Sequence, residues 1–206
     1  MLIGDDPASK IYVKNKHKFF SNNGCYSETF TFDSSISQDE LISFVQSLNQ
    51  DDKFHGILVQ LPLPGHINSQ AVIDSINPDK DVDGFHPKNL GKLFLGYPAF
   101  IPCTPYGIME LLDYYDIETS GKHAVIVGRS NIVGKPMVSL LSQSFKKGNA
   151  TVTVCHSRTN PLKDYTLQAD ILIAATGVPN LITADMVNED VNIIDVGINR
   201  VEDESE

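Results

Sequence analysis

The sequence predicts an α/β chain with two domains, residues 1–117 and 118–206, the second built on a doubly wound parallel sheet. Three observations carry this. An apolar run at His123–Val127 reads as a buried parallel strand, and further strands are expected at Ala169–Thr176 and Val191–Val196. Segments at helical spacing alternate with them, as a parallel sheet with crossover helices requires. The first of these strands runs directly into Gly128-Arg129-Ser130-Asn131-Ile132-Val133-Gly134, and a helix-like stretch from Met137 to Phe145 follows. Strand, glycine-flanked loop and helix start together describe a turn suited to phosphate.

Taken in order, Leu2-Ile3-Gly4 reads as the last residues of a strand. Asp6-Pro7 supplies an N-cap followed by proline at the first helical position, so a helix is expected from Pro7 to Asn22, with Gly24 closing it. A strand is expected over Tyr26–Phe32. Ser37 and Glu40 form a capping box, and Leu41, Phe44, Val45 and Leu48 follow at helical spacing. Gly56–Leu61 reads as a short buried strand stopped by Pro62 and Pro64. Ser69 is read as the cap of a short helix carrying Val72, Ile73 and Ile76, and Asn77–Phe85 as a loop. Thr104-Pro105 opens a helix with Ile108, Met109, Leu111, Leu112 and Tyr115 as its stripe, and the boundary between domains falls within Pro102–Thr119. A strand at Thr151–Cys155 completes the second sheet.

Composition narrows the classes of partner. A net charge of −10 over 206 residues disfavours nucleic acid and anionic membrane. No stretch approaches the ~20 consecutive apolar residues of a membrane span. The first residues lack the basic and apolar regions of a signal peptide. Cys25, Cys103 and Cys155 are odd in number and dispersed, which suits a reducing, cytoplasmic setting.

Several stretches offer chemistry, each with a plainer alternative. The loop spacing, G-x-x-x-x-x-G, departs from the usual dinucleotide fingerprint and suits either a cofactor turn or an ordinary strand–helix turn. NAD sites generally place an acidic residue about 20 residues further on, for the ribose 2′-hydroxyl. Here the next strand ends in Cys155-His156-Ser157-Arg158, without a carboxylate. With Arg129 in the loop, this favours a 2′-phosphate and hence NADP; the alternative is that Arg158 is a solvated charge. Gly177 follows a strand at the sheet edge where ligands bind, or simply marks the strand exit. Cys155-His156 lacks the second ligand cluster of a metal site and reads as structural. Asp79, Asp81 and Asp83 imitate a calcium loop, but Leu90 stands where its closing acid should be, so a polar-ligand loop or a solvated turn remain. No metal site is expected. Tyr12 and Lys16 share a helix face, either as an acid/base beside an aromatic ring or as part of a basic solvated face with Lys10, Lys14 and Lys18.

Together these stretches resemble the bifunctional methylenetetrahydrofolate dehydrogenase/methenyltetrahydrofolate cyclohydrolase family. The resemblance spans nearly the whole chain, through Ile3–Ser9, Tyr12–Lys16, Gly56–Pro64, Pro78–Phe85, Pro102–Pro105, Gly128–Pro136, Thr151–Thr159, Ala174–Pro179 and Asp195–Arg200. It implies a folate-binding α/β domain and a Rossmann-like NADP domain, with members extending beyond this sequence at both ends, so that both domains are incomplete here. It implies NADP-dependent oxidation of 5,10-methylenetetrahydrofolate to the 5,10-methenyl compound, then hydrolysis to 10-formyltetrahydrofolate. Lys16 would be the general acid/base, Tyr12 would stack on the folate, Gln60 would hydrogen-bond Lys16, and Asp83 would bind the pterin edge. Gly128, Arg129, Ser130, Gly134, Ser157, Arg158, Gly177 and Ile198 would hold NADP. A lysine ionising near ~10.4 must be lowered to exchange protons at neutral pH, through partial burial and a nearby cationic substrate. Members form homodimers. Two alternatives stand beside this reading: a non-catalytic nucleotide-binding relative, and a dehydrogenase of another small substrate, for which Tyr12, Lys16, Gln60 and Asp83 would have no use.

Overall fold

The computed structural model describes residues 1–97 and 100–197. Two compact units divide between Asn89 and Leu90.

In the first unit, β1 (Leu2–Ile3) pairs in parallel with β2 (Thr31–Phe32). Between them runs α1 (Pro7–Asn22), started by Asp6, whose side chain accepts from Ser9 N at 2.7 Å. Gly24 at φ +70° closes it, a conformation glycine adopts without penalty. The expected strand Tyr26–Phe32 contracts to the two residues that pair with Leu2 and Ile3. The Phe30 and Phe32 rings instead pack edge-on against Phe44, at 4.9 and 5.0 Å between centroids. Phe44 lies on α2 (Gln38–Gln50), which begins with the expected capping box: Glu40 N donates to Ser37 Oγ, and Ser37 N donates to Glu40 Oε2. Leu41, Val45 and Leu48 are buried from its inner face.

Gly56–Leu61 differs from expectation. It is extended, and Ile57 and Val59 are buried, but it forms no strand. Ile57 makes a single parallel bridge to Asp81, with Ile57 N donating to Lys80 O at 2.7 Å; on the other side Gln60 N donates to Met1 O at 3.0 Å. Each side offers too few consecutive pairings to make a ladder. The next helix, α3 (Ser69–Ser75), is capped one residue earlier than expected: Asn68, not Ser69, accepts from Gln70 N and Ala71 N. A helix not anticipated from sequence, α4 (Pro87–Leu95), follows the acidic loop.

The second unit begins its regular structure with α5 (Cys103–Tyr114) and builds a four-stranded parallel sheet. Its strands are β3 (His123–Val127), β4 (Thr151–Cys155), β5 (Ile171–Ala174) and β6 (Asn192–Asp195), in spatial order β4-β3-β5-β6. Alternation along β3 explains the apolar run. Ala124 and Ile126 pack with Met109 and Leu112 of α5 and with Met137 and Leu141 of α6 (Gly134–Ser142). Val125 and Val127 face the other way, against Leu172, Ala169 and Leu162. Both faces are therefore covered, the condition for a doubly wound sheet. α6 begins three residues before the expected start, and α7 (Lys163–Thr166) is a single turn between β4 and β5. Because β4 and β5 lie on opposite sides of β3, the order reverses at the carboxyl end of β3. Ligands bind at such points in open α/β sheets.

Candidate functional site

In the first unit, α1 carries Tyr12 and Lys16 one turn apart. Lys16 is half-buried, and its Nζ donates to Gln60 Oε1 across a long 3.4 Å contact. Gln60 has its amide oriented by the carbonyl of the next residue: Nε2 donates to Leu61 O at 2.8 Å, which leaves Oε1 to face the ammonium. Tyr12 is 43% exposed, its ring open to a stacking partner.

The acidic loop sorts its three carboxylates. Asp79 is exposed. Asp81 is 1% exposed and consumed internally, accepting from His86 N and from Asn89 Nδ2. Lys80 is also committed, its Nζ donating to Leu48 O and Asp51 O at the end of α2. This leaves Asp83, half-buried. Burial pushes its carboxyl above the ordinary value; the Lys16 ammonium pulls the other way without prevailing, and the neighbouring Asp81 charge adds to the rise. Tyr12, Lys16, Gln60 and Asp83 thus belong to one unit, with Lys16 the group that the other two polar side chains share.

In the second unit, the Gly loop leaves β3 at the sheet's switch point. Gly128 has φ +133°, and a Cβ there would stand 2.2 Å from Ala175 O; one at Gly134 would stand 2.2 Å from Gly128 O. Both glycines let strand, loop and helix approach closely. Ser130 Oγ accepts from Val133 N and Gly134 N and so caps α6 from within the loop. At the end of β4, His156 and Thr159 close a tight turn: His156 N donates to Thr159 Oγ1, Thr159 N to His156 O, and Arg158 N to His156 Nδ1. His156 is thereby used locally, and Cys155 is buried, with its thiol pushed up by that burial. The turn displays Ser157 and Arg158. The side chains of Arg129 and Arg158 are exposed and make no hydrogen bond or ion pair among the described residues. Gly177, just beyond β5, is exposed, and a Cβ there would meet nothing within 4 Å, so protein packing does not demand a glycine. Ile198 lies outside the described residues. Shallow depressions along α5, lined by Glu110, Asp113 and Tyr114, hold none of these side chains.

Sequence reading missed the structural roles of Lys80, Asp81 and Asn89. Three acids spaced by two in a loop look alike in sequence, and only the partners of Asp81 distinguish it.

A parallel sheet with a glycine-bounded turn and carboxylate-free basic side chains at its switch point defines an NAD(P)-binding α/β protein, here joined to a second α/β unit. Residues 1–83 match the tetrahydrofolate dehydrogenase/cyclohydrolase catalytic domain, and residues 102–206 match the NAD(P)-binding domain of the same family. The chain is 54% identical over its full length to the bifunctional protein FolD of Chlorobium limicola and 55% identical over 98% of its length to that of Bacillus subtilis; it spans 70% of each. A crystal structure of the bifunctional FolD enzyme from Campylobacter jejuni superposes with a TM-score of 0.92 at 51% identity, covering 98% of this chain and 70% of that one. The Trypanosoma brucei enzyme, solved with NADP and an inhibitor, gives 0.92 at 36% identity, covering 100% of this chain and 69% of that one. The chain belongs to the tetrahydrofolate dehydrogenase/cyclohydrolase family.

The raised Asp83 carboxyl has a consequence for stability. A group whose folded value lies above its unfolded value of 3.8 contributes stability that is complete below that value and is lost as pH rises through the folded one. At neutral pH the ionised Asp83 therefore opposes folding. Asp83→Asn is expected to melt at a higher temperature than the parent at pH 7, with the difference narrowing as pH falls toward 3.8; calorimetric melts across this range check it, and no gain at pH 7 contradicts it.

Proposed function

We propose that the chain oxidises 5,10-methylenetetrahydrofolate with NADP and hydrolyses the resulting 5,10-methenyl cation to 10-formyltetrahydrofolate, as a homodimer in the cytoplasm. The contact between Lys16 and Gln60, with Asp83 coupled to the same ammonium, carries the reading. A dehydrogenase of some other small substrate has no use for this set, and a binding module has none for a half-buried lysine facing an oriented amide.

Tyr12 offers its exposed ring to the pterin or the adjoining aromatic ring of the folate. Asp83 takes the pterin edge, where a carboxyl with a raised proton affinity pairs with amino and ring N–H donors. Hydrolysis of the methenyl cation needs a base for the attacking water. The amine form of Lys16 takes that proton as the C–O bond forms and returns it to the ring nitrogen as its C–N bond opens, while the remaining hydroxyl proton leaves to solvent as the formyl carbonyl forms; Gln60 Oε1 aims the amine throughout. The substrate's own positive charge favours the neutral lysine at that step.

The edge of the second unit fits the nucleotide. Gly128 leaves no room for a side chain against Ala175 and Gly134 none against Gly128, Gly177 leaves space open, and two arginines stand without partners among the described residues. Arg129, Ser157 and Arg158 would hold the 2′-phosphate, and Ser130 and the glycines the loop over which the pyrophosphate passes; we extend the same role to Ile198. The nicotinamide, when bound, accepts the hydride.

Two measurements test this. Lys16→Met is expected to lower methenyltetrahydrofolate hydrolysis by about 10²–10⁴-fold, the usual contribution of a positioned acid/base; hydrolysis at the parental rate would remove the lysine from the mechanism. Arg129→Ala is expected to weaken NADP about tenfold or more while leaving NAD nearly unchanged, because only NADP carries the 2′-phosphate. Equal weakening of both cofactors contradicts the 2′-phosphate assignment.

A further inference from the structure

We infer that Asp81 and Asn89 are positioning residues for the folate substrate: they clip shut the arc that carries Asp83 and so set Asp83 against Lys16. The inference rests on the folate reading above.

Asp81 is 1% exposed and Asn89 0%. A single oxygen, Asp81 Oδ2, accepts from His86 N at 2.8 Å and from Asn89 Nδ2 at 2.9 Å. The same Asn89 amide nitrogen donates to Pro78 O at 2.8 Å. Pro78, Asp81 and His86 are thereby tied to one buried point, and Asp83 lies in the arc between Asp81 and His86. Inside that arc Gly84 N donates to Asp81 O at 3.2 Å, with Gly84 at φ +70°. The clip also connects to Gln60. Ile57 N donates to Lys80 O and Ile57 bridges Asp81, so the segment bearing Gln60 and the arc bearing Asp83 share a register.

The energetics favour a geometric role. A buried carboxylate is expensive, and the His86 and Asn89 N–H donors go part of the way to offsetting it here. Asn89 Oδ1 is buried with no hydrogen-bond partner among the described residues, a second cost. An apolar pair of similar volume would avoid both costs but could not bind the Pro78 carbonyl and the His86 amide. What the polar pair supplies is a fixed arc, and the one side chain in that arc coupled to Lys16 is Asp83.

The test is a double-mutant cycle in the full chain, with Asn89→Leu, Asp83→Asn and both together. Dissociation constants for methylenetetrahydrofolate and for NADP are measured by titration calorimetry, and turnover is measured on the parent. Asn89→Leu keeps the side-chain volume, removes the clip and removes the orphaned oxygen. It is expected to weaken the folate roughly tenfold or more, the scale of a lost hydrogen bond to a charged group, with NADP affinity unchanged. In the Asp83→Asn background the same change is expected to have almost no further effect on folate. Asp81→Asn, run through the same cycle, decides between the outcomes should Asn89→Leu fail to fold, and the same split is expected of it. A parent that binds and converts folate while the variant binds it normally overturns the inference and leaves the function standing. So does weakening that is equal for both ligands, or that persists undiminished in the Asp83→Asn background. A parent that neither binds nor converts folate overturns the function, and the inference with it.

Discussion

An ammonium and a carboxylate share half-buried ground in the first unit, and the unit is arranged to hold them there. Lys16 comes from a helix, Gln60 from an extended segment and Asp83 from a loop. None of these is rigid alone. α1 buries little beyond Ser9, the Gly56–Leu61 segment makes no ladder, and the loop has no regular structure. Their placement depends on a few specific bonds: the Asp6 cap, the Ile57 bridge to Asp81, and the Lys80 ammonium on the end of α2. The candidate site is specified by polar contacts at the ends of elements, while the apolar core around Leu41, Val45 and Val72 keeps those elements together.

The second unit works by the opposite means. Its central strands β3 and β5 are buried on both faces, and its ligand edge follows from topology, since reversing strand order at β3 brings three loop ends to one side. The glycines there serve the protein's own packing first: Gly128 and Gly134 are required by backbone approach, and Gly177 is not. The basic side chains at that edge are left without internal partners among the described residues, which makes them available to an anion. A family in which one unit carries proton chemistry and the other a nucleotide suits this division, for hydride transfer asks mainly for alignment and hydrolysis for a placed base.

Much of this was legible in the sequence, for physical reasons that differ by element. β3 and β5 were plain because strands buried on both faces read as unbroken apolar runs. α2 was plain because Ser37 and Glu40 satisfy the first amides locally. The Gly56–Leu61 run looked equally like a strand, but a ladder depends on partners, and these lie at Met1 and Lys80, outside any local window. Asn68 and Ser69 are both capping residues, and only geometry chose between them. α4 was hidden behind its proline and an internal glycine. At the site, Lys16, Tyr12, Gln60 and Asp83 became conspicuous only through family resemblance; composition made Lys16 one lysine among four on its helix. Asp81 and Asn89 gave no local signal, because their significance is burial.

The most direct measurement is the ionisation of Asp83 itself, followed through its side-chain carboxyl carbon by NMR in the parent and in Lys16→Met. If the two groups share one site, the Asp83 midpoint lies above the ordinary carboxylate value in the parent and rises further when the lysine charge is removed. An unchanged midpoint in the variant would mean that Lys16 and Asp83 do not share one site, and would contradict the site proposed for this chain.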